Sequence, residues 1–104
     1  MAGMVIVDDN LAIGRGIISN IPWGDYQIDI LGNFPDGRAA LKKIRETHPD
    51  ILLTDIVMPD MDGLELTHAV RQLCPATQVI VMSAYDQFDY VKEALRAGVF
   101  DYVM

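Results

Sequence analysis

Five short apolar runs rich in β-branched residues recur about two dozen residues apart: Met4 to Val7, Ile28 to Leu31, Ile51 to Thr54, Val79 to Met82 and Phe100 to Met104. That spacing is about the length of one strand–helix unit. Near-continuous apolar runs, rather than alternating ones, suit strands buried on both faces. The intervals between them carry helical periodicity. Leu11, Gly14, Ile17, Ile18 and Ile21 fall at three- and four-residue steps, with Asn10 as an N-cap. A second helix follows Pro35 with Asp36 as its cap, buries Ala40, Leu41 and Ile44, and stops before Pro49. A third carries the stripe Leu66, Ala69, Val70 and Leu73 and is closed by Pro75. A fourth begins near Asp86, sets Phe88, Val91 and Leu95 on one face, and meets a stop signal at Gly98. Strands alternating with helices predict an α/β fold built on a parallel sheet. The 104 residues suffice for one compact domain and are too few for two.

Charge narrows the function. A net charge of -7 argues against this chain gripping a phosphate backbone, which needs a basic face. It suits a divalent cation or a basic partner, and it also aids solubility. The single cysteine, Cys74, excludes an internal disulfide and reads as a small core residue near a helix end. No apolar run approaches the ~18 residues needed to cross a bilayer, and the amino terminus lacks a signal-peptide profile. The expectation is a soluble, cytoplasmic domain with no membrane association.

The chemistry gathers where two of the strands end. In DILLTDIVMPDMDG the run Ile51 to Thr54 ends in Asp55, and Pro59 and Asp62-Gly63 stop the strand continuing. The first strand ends the same way, in Asp8-Asp9. Ligands of open parallel sheets sit just beyond the carboxyl ends of the strands, so two strands deliver three carboxylates to one edge, with Ser83 following the fourth. Three carboxylates together repel one another. A hard cation such as Mg²⁺ removes that cost, and a carboxylate beside it can attack a phosphoryl group to give an acyl phosphate.

IVDD (Ile6 to Asp9), LLTDIVMPDMDG (Leu52 to Gly63), VMSAYD (Val81 to Asp86) and KEALRAGVFDYVM (Lys92 to Met104) together resemble the receiver domain of two-component response regulators. The resemblance implies a doubly wound, flavodoxin-like sheet of strand order 2-1-3-4-5, with Asp55 as phosphoacceptor for a sensor histidine kinase. It implies that Asp8, Asp9, Asp55 and the backbone carbonyl of Val57 hold Mg²⁺. Ser83 matches the hydroxyl that contacts the phosphoryl group and Tyr102 the switch aromatic. The stretch from Ser83 to Met104, with Trp23, looks like the subgroup carrying an AraC-type DNA-binding domain, so DNA would be bound by an output domain outside these residues. Asn10 stands where many members carry Glu. The family motif continues beyond Met104 with a lysine, a cis-proline and a last helix. The expectation is therefore a receiver domain lacking its fifth helix, with one sheet face short of cover beside the first helix. Such a face, or the helix 4–strand 5 region, should promote self-association.

Other readings of the same residues are blander. An Mg²⁺-dependent phosphohydrolase would use the same acids, but such enzymes usually carry a second acid where Val57 stands, and need a substrate cap. An interaction module independent of phosphorylation is the third possibility. DMDG tempts a calcium-loop reading that fails, because Met58 and Ala69 would fall at ligand positions. Asp60 and Asp62 are read as loop solvation and turn chemistry, His48 and His68 as surface residues, and Met58, Met61 and Met82 as gap-fillers around the site.

Overall fold

Asn10, Asp36 and Asp62 each accept a backbone N–H at the start of a helix, so the helix starts are set by short polar side chains. The computed structural model describes residues 1–83 and 88–103. Its elements in chain order are β1 (Ala2–Val7), α1 (Leu11–Asn20), a 3₁₀ turn (Trp23–Tyr26), β2 (Ile28–Phe34), α2 (Gly37–Thr47), β3 (Ile51–Asp55), α3 (Gly63–Leu73), β4 (Gln78–Met82), α4 (Phe88–Ala97) and β5 (Asp101–Val103). All strand pairs are parallel and the order is β2-β1-β3-β4-β5, as expected. The expected start of the fourth helix near Asp86 lies outside the described residues, as do Ala84, Tyr85 and Met104. No helix among the described residues is long and apolar enough to cross a membrane.

The two faces of the sheet are unequal. On one, Val5, Val7, Leu52, Val79 and Val81 pack with Ala40, Leu41 and Ile44 of α2 and Leu64, Leu66 and Val70 of α3. On the other, Met4 and Ile6 of β1 are buried, and Ile6 pairs with Asn33, whose side chain reaches α1. Further along that face Leu53, Ile80 and Met82 are only half-buried, and Val103 is 55% exposed. Among the described residues, the thinner cover on this face lies over β3, β4 and β5.

Five details differ from the sequence reading. Leu73 is exposed, because α3 turns Gly63, Leu66, Thr67 and Val70 inward. The buried Thr67 hydroxyl donates to the Gly63 carbonyl at 2.7 Å, which removes the cost of hiding it. Ile21 is the extended C-cap of α1 and is exposed. Leu95 is exposed too, while Val99 is buried. Phe100 precedes β5 and is exposed, so the last strand is shorter than its apolar run, and β2 runs on to Phe34 past a register shift opposite Met4 and Val5. Cys74 is buried as expected, with its Sγ 3.5 Å from Nδ1 of the exposed His48, and His68 is exposed.

Candidate functional site

β1 and β3 lie side by side, so their carboxyl ends open at the same edge. Asp8 follows directly on β1. Its N–H donates to the Phe34 carbonyl at 3.0 Å, and its buried carboxylate accepts the Asn10 N–H at 2.9 Å. Asp9 comes next, exposed. Asp55 is the last residue of β3 and half-buried. One carboxylate oxygen from each of Asp8, Asp9 and Asp55 lies within 4.8 Å of the others. They share a cleft of about 470 Å³ with Asn10, Ile13, Met82, Ser83 and Val103.

Burial and mutual repulsion act on these acids together. The Asp55 carboxyl is pushed up to about 6, first by burial and then by the charges of Asp8 and Asp9, while the N–H groups of Val57 and Ile56 pull it down. Asp8 is raised as well, again chiefly by burial, with the Asn10 N–H opposing and Asp9 adding to it. Three hard oxygen donors converging at this cost form a set that a divalent cation fits.

The backbone around Asp55 is tightly set. The Ile56 N–H donates to the Met82 carbonyl at 3.0 Å, and the Gly63 N–H to the Ile56 carbonyl at 2.8 Å. A Cβ at Gly63 would stand 2.4 Å from the Asp55 carbonyl oxygen and 2.8 Å from Ile56 Cα. Only glycine lets α3 begin so close to the acid. Asp62 then caps α3 through a reciprocal pair, its carboxylate accepting the Glu65 N–H and Glu65 Oε1 accepting the Asp62 N–H.

Of the residues singled out from sequence, Asp8, Asp9, Asp55 and Ser83 meet in the cleft. Ser83 is buried, and its N–H donates to the Val103 carbonyl at 2.8 Å. Val57 lies in the loop beyond β3 with an exposed side chain. Tyr102 does not line the cleft. It pairs opposite Val81 in the middle of β5, and its side chain is partly exposed. The Asp60 carboxylate accepts from Arg38 Nε at 2.7 Å, a surface ion pair from α2 to the loop after β3 that the sequence reading did not foresee. Ile13 and Val103 were not anticipated as cleft walls. An apolar Ile13 off the stripe of α1 was the available signal.

Comparison with known proteins agrees with this architecture. The response regulator receiver domain family matches residues 4–104. The chain belongs to that family. This receiver domain is 36% identical over its whole length to the transcriptional regulatory protein HptR of Staphylococcus aureus and to the uncharacterized transcriptional regulatory protein YesN of Bacillus subtilis, spanning 40% and 28% of them respectively. Among solved structures it resembles the REC domain of AraT, a response regulator from Geobacillus stearothermophilus, with 35% identity and a TM-score of 0.92, covering 98% of this chain and 79% of that one. A two component transcriptional regulator AraC from Clostridium phytofermentans is also similar, with 36% identity, a TM-score of 0.90 and coverage of 99% and 80%.

Proposed function

We propose that residues 1–104 form one receiver unit that accepts a phosphoryl group on Asp55 from a sensor histidine kinase in the cytoplasm. Convergence of Asp8, Asp9 and Asp55 within 4.8 Å carries this reading. Asp8, Asp9, Asp55 and the Val57 carbonyl would hold Mg²⁺, which when bound offsets charge on the transferring phosphoryl group. A carboxylate oxygen of Asp55 attacks phosphorus, the bond from phosphorus to the donor breaks, and an acyl phosphate forms as the donor leaves with that electron pair. Ser83, at the wall of the cleft, contacts a phosphoryl oxygen, and Tyr102 on β5 responds as the switch aromatic. The relatives named as transcriptional regulators are much longer than this chain. The receiver would therefore act on transcription through an output domain that binds DNA, and no nucleic acid would bind to these residues themselves.

Incubation with a small phosphodonor and Mg²⁺, read by intact mass, tests the assignment. One phosphoryl group should add to the wild type and none to Asp55→Asn. Equal labelling of both proteins would remove Asp55 from its role.

A further inference from the structure

Two contacts tie the segment between β1 and α1 to the end of β2. The Asp8 N–H donates to the Phe34 carbonyl at 3.0 Å, and Asn33 Nδ2 donates to the Leu11 carbonyl at 3.3 Å. The acidic pair is thus carried on residues 8–11, fastened at both ends by neighbours on one strand. Within that segment Asp8 Oδ1 accepts the Asn10 N–H, and Asn10 Oδ1 accepts the Ala12 N–H. The contacts run without a gap from Asn33 through the first turn of α1 to the Asp8 carboxylate.

The second tie is costly. Asn33 Oδ1 is buried with no hydrogen-bond partner among the described residues, and such an orphan weakens a fold. Gly14 makes room for it, since a Cβ there would stand 2.1 Å from that oxygen. For packing alone, an apolar side chain of similar size would remove the orphan oxygen, at the loss only of the 3.3 Å donor to the Leu11 carbonyl.

We propose that Asn33 is a positioning residue for the acidic pair: its amide, admitted by Gly14, fixes the first turn of α1 and so the placement of Asp8 and Asp9 against Asp55. The role rests on the reading of these acids as an Mg²⁺ site. Residues that orient metal ligands from outside typically change affinity about 10–100-fold when removed.

The test is an Mg²⁺ titration by calorimetry on wild type and Asn33→Leu, with urea unfolding of both in the absence of metal. Affinity should fall about tenfold, while the metal-free unfolding midpoint holds or rises as the orphan oxygen disappears. Unchanged affinity overturns the proposal. So does a loss of affinity matched by a loss of metal-free stability, which marks a packing residue. Asn33→Ala removes the same amide with less bulk and should lose affinity to the same degree. Affinities of the two variants that track their stabilities also overturn the role. Wild type that binds no Mg²⁺ sinks the metal assignment and this role with it, whereas wild type and Asn33→Leu binding equally sink this role alone.

Discussion

Asp55 has an ordinary carboxyl value of 3.8 and is held at about 6 in the fold. A raised value means that the folded protein prefers the protonated acid. The contribution to stability is therefore fully present below about 4 and is lost as pH rises through about 6. Asp8 acts in the same direction. Metal-free protein should unfold at lower urea at pH 7.5 than at pH 5, and the stabilisation from added Mg²⁺ should be larger at pH 7.5, where no proton competes. Equal stabilisation at both pH values would show that these acids do not share a cation. At this scale the acids were legible, because each ends an apolar run. Gly63 was legible only as a turn residue. Its closeness to the Asp55 carbonyl arises from how α3 sits on β3, a three-dimensional fact that no local pattern encodes.

Among the elements, α3 has the best-defined start. The Asp62–Glu65 capping box satisfies N–H groups that the helix cannot satisfy itself. Replacing Asp62 with Ala should cost about 1 kcal/mol, read as a lower urea midpoint, with phosphoryl labelling retained. Loss of labelling without loss of stability would instead give Asp62 a part in the chemistry. Element types and order followed from the spacing of apolar runs and from Pro49, Pro75 and Gly98. The ends were less legible. Phe100 belongs to the last apolar run yet lies outside β5, and Leu73 belongs to the α3 stripe yet faces out. In both cases the tertiary neighbours, not the local pattern, decide which side chain is covered.

The whole molecule presents one well-covered sheet face and one partly covered. Ile13 is 46% exposed and Val103 55%, with Ile80 and Met82 half-buried on the same face of the sheet as Val103. Apolar surface of this kind favours association. Sedimentation should show dimers or larger species growing with concentration, and Val103→Lys should shift the distribution toward monomer. A protein that stays monomeric throughout would show that this face is satisfied as it stands.

The Ser83 amide is bonded to Val103 at the rim of the sheet, and β5 is a three-residue edge strand paired, among the described residues, with β4 alone. One peptide unit thus joins the wall of the acidic cleft to the edge strand of the sheet. Because an edge strand is held from one side, a shift of the Ser83 peptide would draw on the Val103 end of β5 before it drew on strands paired on both sides.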